Sequence, residues 1–243
     1  MADESRVHVG LILPDVLGTY GDSGNATVLR KRLEWRGIPA RVHPIRLGEP
    51  VPASFDLYLL GGGEDTAQAL ASEHLRRHQG MRRAVRDGAV VFGVCAGLQI
   101  LGARFTGLDG VPHDGLGMLD LVTVPGRRRS VSEVVSAPDP RLGADAITGF
   151  ENHLGLSTLG PGSVPLGRVL KGTGNGDGTE GGVAGRVAAT YLHGPVLARN
   201  PALADLLLGW AVGAPLPELP VAEIAQLREE RLRAAHVRPR RAS

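Results

Sequence analysis

Cys95 is the sole cysteine of a 243-residue chain, and it closes the apolar run Val90-Val91-Phe92-Gly93-Val94 with glycines at 93 and 97 on either side. A buried strand ending here, with a helix opening near Leu98-Gln99-Ile100-Leu101, puts the thiol on a sharp strand-to-helix turn, the cysteine form of a nucleophile elbow. Glycine neighbours tolerate the strained backbone and leave the sulfur uncrowded, and the positive end of the helix favours the thiolate. The competing reading is a small buried hydrophobe, since unpaired cysteine is often interior; the turn chemistry favours the nucleophile. A nucleophile needs a base. His193, in Tyr191-Leu192-His193-Gly194-Pro195, directly follows an apolar strand and precedes a strand stop, so it can project at the same sheet edge as Cys95. His153, in Phe150-Glu151-Asn152-His153, is the second candidate base, within a polar cluster that reads as a wall of the site.

Gly61-Gly62-Gly63 offers backbone N–H groups with no side chains in the way, as an oxyanion hole requires, and the expected donors are Gly62 and the amide of Ala96. Loss of one such donor costs roughly 3–4 kcal/mol in the barrier. Other patterns read as structural. Gly172 to Gly178 superficially resembles a nucleotide loop but lacks a following helix and the P-loop lysine. His74 and His78 stand four apart with no glutamate between them, which predicts a solvated helix face and not a metal site, and Cys95 has no second sulfur beside it.

The elements that must position these residues follow from hydrophobic periodicity. Val7–Leu13, Arg41–Ile45 and Phe55–Leu60 read as strands, Ala26–Trp35 as a helix, and Thr66–Arg86 as one long helix with Ala67, Leu70, Leu75, Met81 and Val85 inward. The alternation predicts an α/β fold, a doubly wound, mostly parallel sheet flanked by helices, whose ligand site lies beyond the carboxyl ends of the strands. Both the glycine turn and Cys95 fall at that edge. After Gly115 the pattern shifts to strands at Leu116–Val124, Ile147–Glu151 and Val187–Leu192, then helices at Pro201–Val212 and Val221–Ala235. The expected division is one domain over 6–214, followed by a C-terminal helix and basic tail over 215–243.

A chain that is 42% hydrophobic and 21% charged is long enough for one large domain. A single cysteine excludes an internal disulfide framework. With no signal-like segment or long apolar stretch, the expected location is cytoplasmic. The basic balance comes from Arg231, Arg233, Arg238, Arg240 and Arg241, without which the formal charge falls from +2 to −3. Nucleic acid does not follow from such a run, which reads first as a solvated end and second as a contact for an acidic partner or membrane.

Taken together, the glycine turn, Gly-Val-Cys-Ala-Gly-Leu-Gln and Tyr-Leu-His-Gly-Pro resemble the class I glutamine amidotransferases, in the cobyric acid synthase-like branch. That family generally places a glutamate two residues after the histidine, where this chain has Pro195. With Asp22-Ser23-Gly24-Asn25, Gly61-Gly62-Gly63-Glu64-Asp65, Gly115-Leu116-Gly117 and Phe150-Glu151-Asn152-His153, the missing glutamate makes the chain similar to the GatD family, the glutaminase subunits of lipid II isoglutaminyl synthase. The resemblance implies that Cys95 attacks the side-chain amide of L-glutamine and His193 shuttles the proton. It also implies that Gln99 faces the substrate and that one of Arg127, Arg128 and Arg129, by the family pattern Arg129, pairs with its α-carboxylate. The third acid is left to a partner subunit, or a dyad suffices.

The implied partner of a heterodimer is a MurT-type Mur ligase that uses ATP and magnesium to amidate D-glutamate of lipid II, at the inner face of the membrane, with no cofactor in this chain. The alternatives are ammonia supply for cobyrinic acid amidation and a non-catalytic, glutamine-binding regulatory subunit.

Overall fold

The computed structural model describes residues 6–142 and 145–235. Its first half runs Val7–Ile12 (β1), Gly24–Glu34 (α1), Ala40–Ile45 (β2), Leu57–Leu60 (β3), Asp65–Arg77 (α2), Gly80–Arg86 (α3), Val90–Val94 (β4) and Ala96–Leu101 (α4). Short strands follow at Arg104–Thr106 (β5) and Pro112–Asp114 (β6), then a long pair, Leu121–Pro138 (β7) and Ile147–Leu159 (β8). Gly167–Lys171 (β9), Thr179–Glu180 (β10), Gly182–Ala184 (β11), Val187–Thr190 (β12) and Leu192–His193 (β13) lead to helices Val196–Arg199 (α5), Pro201–Val212 (α6) and Ala222–Ala234 (α7).

Two sheets result. The first has the order β11-β12-β4-β3-β1-β2, parallel except for the β11–β12 pair. Every residue of β3 and β4 is buried, as expected for strands covered on both faces, and their near-continuous apolar sequences reflect that. Because β1, β3, β4 and β12 run the same way, the loops after all four open at one edge. The second sheet, built on β7 with β8, β9 and β5 beside it, is mostly antiparallel. Between β12 and β13 the chain leaves the first sheet and joins the second: Thr190 pairs with Val94, and three residues later His193 pairs with Phe150 of β8.

Several expectations change in detail. The long helix breaks into α2 and α3 at His78. A Cβ on Gly80 would lie 1.7 Å from the Val51 carbonyl oxygen, so the second helix starts where only glycine allows the approach. Leu70, expected inward, is 43% exposed, while Gln68 and Ser72 turn in, because Gln68 donates to Gln99 and Ser72 to the Asp114 carbonyl. His74 is buried and not solvated, its Nε2 against the Glu49 carbonyl at 3.0 Å. The strand expected from Leu116 begins at Leu121; the Leu116, Met118 and Leu119 amides instead donate to the Ile100 and Leu101 carbonyls at the end of α4. The C-terminal helix is tied down by Arg228, which donates to the Arg199 and Ala146 carbonyls and to Asn200. Of the tail arginines, Arg238, Arg240 and Arg241 lie outside the described residues. No helix among the described residues is long and apolar enough to cross a membrane.

Candidate active site

Cys95 stands between β4 and α4 with φ 52° and ψ −103°, one of three non-glycine residues at positive φ among those described. Such a conformation costs about 1–3 kcal/mol and persists only where the surroundings impose it. Here they do. A Cβ on Gly97 would sit 2.8 Å from the Leu60 carbonyl oxygen of β3, and one on Gly93 of β4 2.7 Å from Leu101, so the helix packs on the two strands at distances only glycines permit. The Cys95 amide donates to the Thr190 carbonyl at 2.8 Å, which fixes the elbow against the strand that delivers His193.

His193 is fully buried, with Nδ1 2.9 Å from Asp22 Oδ2. The carboxylate can only accept, so Nδ1 carries the proton and Nε2 is left toward Cys95. Nε2 has no partner of ordinary hydrogen-bond geometry, and the Cys95 sulfur is the group acting on it. Burial works against a charged imidazole, yet Asp22 and Cys95 together outweigh it and raise His193 to about 9. At neutral pH the ring therefore holds a proton it can pass to a leaving group.

An acid thus stands against His193 from within the chain, Asp22 of the loop after β1. Pro195, at the position where the family glutamate would stand, packs on the first residue of α1, directly after that loop: a Cβ on Gly24 would lie 2.5 Å from Pro195 Cγ. Asn25 accepts from the Leu197 amide at 3.0 Å. The Asp-Ser-Gly-Asn motif and the Gly-Pro motif lock together, and Asp22 is held against the imidazole. Sequence reading quoted this motif without giving Asp22 a role; the available signal was its place in a loop at the same carboxyl edge as Cys95.

The oxyanion assignment also shifts. The Gly62 amide donates to Asp22 Oδ2 at 2.9 Å, so it is already occupied. Gly63, the next residue, borders the cleft with Cys95, and its amide has no partner among the described residues. Ala96 opens α4 and has no intrahelical acceptor. Gly62 nonetheless sits where a side chain would crowd the site: a Cβ there would lie 2.7 Å from His193 Cε1, 3.1 Å from Asp22 Oδ2 and 3.5 Å from Cys95 Cβ. Gly62→Ala is expected to cut turnover by about a hundredfold or more, by displacing His193 from both partners; steady-state kinetics with a near-native rate would contradict the geometry.

The same cleft is bordered by Arg129 but by neither Arg127 nor Arg128, and by Gln99 and His153. Gln99 is nearly buried, its amide accepting from Gln68 at 2.7 Å and donating to Tyr191 Oη at 3.3 Å. His153 is not a free base. Its Nδ1 lies 2.9 Å from the Gly155 carbonyl, its Nε2 3.2 Å from Glu151, and its ring stacks on Tyr191. Burial would raise Glu151, but hydrogen bonds from His153, Ser132, Gly174 and Thr173 hold it down to about 2. The glycine-dense loop does cradle an anion, and that anion is the internal Glu151 carboxylate.

Behind Tyr191 lies Glu180, whose Oε1 accepts from Thr190 Oγ1 and the Tyr191 amide while Oε2 is buried without a partner. Burial pushes it up from 4.5 to about 7. The folded value exceeds the unfolded one, so the stability it contributes is full below about pH 4.5 and is lost as pH rises through about 7. Glu180→Gln should therefore unfold like wild type near pH 5 and be more stable by up to about 3 kcal/mol at pH 8. Denaturant titrations at both pH values check this; an equal change at each would refute it.

The model of the CobB/CobQ-like glutamine amidotransferase domain matches residues 8–201. The lipid II isoglutaminyl synthase (glutamine-hydrolyzing) subunit GatD of Staphylococcus aureus strain N315 is 35% identical over 202 residues, covering 81% of this chain and 80% of that protein. The subunit of the same name from Streptococcus pneumoniae strain ATCC BAA-255 / R6 is 28% identical over 211 residues, covering 85% and 81%. A crystal structure of a glutamine amidotransferase superposes with a TM-score of 0.57 at 23% identity, over 84% of this chain and 98% of that one, a likeness of fold.

Proposed function

The chain belongs to the CobB/CobQ-like glutamine amidotransferase family, and from that premise we propose that it is the glutamine-hydrolysing subunit of a lipid II isoglutaminyl synthase. In this reading Cys95 Sγ, its proton already carried by His193, bonds as the thiolate to the side-chain amide carbon of L-glutamine. The carbonyl oxygen becomes an oxyanion against the Gly63 and Ala96 amides. As the C–N bond breaks, His193 gives its proton to the departing ammonia, leaving a γ-glutamyl thioester. Water, giving a proton to the now neutral His193, attacks the thioester carbon; glutamate leaves, and Cys95 is restored as the thiolate beside the protonated ring. Asp22 keeps the imidazole in register throughout.

Ammonia is useful only to an activated acceptor, which the partner supplies: a MurT-type Mur ligase using ATP and magnesium on the D-glutamate α-carboxylate of lipid II. The product is D-isoglutamine, formed at the inner face of the membrane. No cofactor is assigned to this chain. The observation that carries the substrate assignment is the 35% identity to the staphylococcal GatD subunit across four-fifths of both proteins. Cobyrinic acid amidation shares the glutaminase half and differs in the acceptor. The test supplies amide-15N-glutamine, ATP, magnesium, lipid II and the candidate ligase. The α-carboxamide of the second stem residue is expected to carry the label; label recovered only as free ammonium with a ligase that accepts added ammonium would overturn the assignment.

A further inference from the structure

Across the mouth of the cleft three side chains from three segments form a chain of bonds. Arg129 Nε donates to Asn152 Oδ1 at 2.6 Å, and Asn152 Nδ2 donates to Tyr20 Oη at 2.5 Å. Tyr20 lies in the loop after β1 at φ 58°, the second of the positive-φ side chains that border the cleft. Its ring stands edge-on to His193, centroids 4.8 Å apart and planes at 66°, and edge-on to Phe150 at 6.3 Å. One residue thus caps the proton shuttle with its ring and, through its hydroxyl, fixes the far side of the pocket.

The geometry points to Tyr20 and Asn152 as positioning residues that orient Arg129 for a substrate's carboxylate while Tyr20 covers His193. Asn152 can face Arg129 with oxygen or with nitrogen, and only the oxygen accepts from the guanidinium. Donation to Tyr20 Oη holds the amide the right way round. With Nε so engaged, the Nη1–Nη2 edge of Arg129 has no partner among the described residues and is presented for a bidentate bond to a carboxylate. Arg129 is exposed, as are its neighbours in the run of three, so an untethered guanidinium would lose rotamer freedom on each binding event. The clasp removes that cost beforehand. It rests on the glutaminase reading, because it needs a substrate with a carboxylate at the end remote from the reacting carbonyl.

The test compares alkylation rates at Cys95 for two electrophiles: a glutamine-shaped chloroketone bearing the α-amino and α-carboxylate groups, and chloroacetamide, which has neither. Tyr20→Phe keeps the ring and removes the hydroxyl; Asn152→Ala removes the link from the other side. Asn152→Ala, which removes the bond to the guanidinium, is expected to slow the glutamine-shaped reagent about tenfold, Tyr20→Phe, which removes a neutral bond, about fivefold, and both to slow chloroacetamide less than about twofold. Tyr20→Ala, which also uncovers His193, should slow both. Equal losses with the two reagents in Tyr20→Phe, or none, would overturn the clasp while leaving the glutaminase reading intact. A wild-type protein that shows no preference between the reagents would overturn both.

Discussion

Asp22→Asn is expected to lower kcat for glutamine hydrolysis between about 10²- and 10⁴-fold without unfolding the chain. The amide is isosteric, and its oxygen can still accept from the Gly62 amide and from His193 Nδ1, as Asp22 Oδ2 does at 2.9 Å in each case. What disappears is the negative charge. Burial then acts on His193 with less to oppose it, so its pKa falls from about 9, and the proton needed by departing ammonia is no longer held at neutral pH. The pH profile should register this. The His193 contribution to stability, present below about pH 6.5 and lost as pH rises through about 9 in wild type, should lose its upper part in the variant. The loss should appear in the isolated chain and in the complex alike. A third acid belonging to the partner would instead make Asp22→Asn silent in both.

The sheet edge was readable because it depends on local patterns. Val90–Val94 is a short, β-branched apolar run bounded by glycine, the pattern of a buried strand, Gly93 and Gly97 mark the close packing, and Gly194-Pro195 marks where a strand must stop. Asp22 was not readable in the same way. Its partner is 171 positions away, and the contact depends on β1 lying beside β3, β3 beside β4 and β4 beside β12, which leads to His193. The phase of α2 was misread for a related reason: Gln68 faces inward to reach Gln99, a tertiary hydrogen bond that a hydrophobic pattern cannot anticipate, and Leu70 is left outside. The triplet alone points to Gly62 as an oxyanion donor. Which of three consecutive amides is free depends on Asp22, which no pattern within the triplet encodes.

Cys95→Ala carries the largest expected effect. The thiol supplies the bond that splits amide hydrolysis into two easier steps, and alanine leaves His193 with a proton and nothing to activate, so glutamine-dependent turnover should fall by at least about 10⁴-fold. The side chain is only 9% exposed, but alanine keeps its Cβ, and the elbow is imposed by Gly93, Gly97 and the Cys95 amide bond to Thr190, so the fold should survive. The partner's chemistry needs only ammonia. The most direct measurement is therefore the rate of lipid II amidation by the ligase complex with glutamine and, separately, with ammonium, comparing wild type and Cys95→Ala. Loss of the glutamine rate with an unchanged ammonium rate is the predicted result; a surviving glutamine rate would contradict Cys95 as the nucleophile, and loss of both would make it a structural residue.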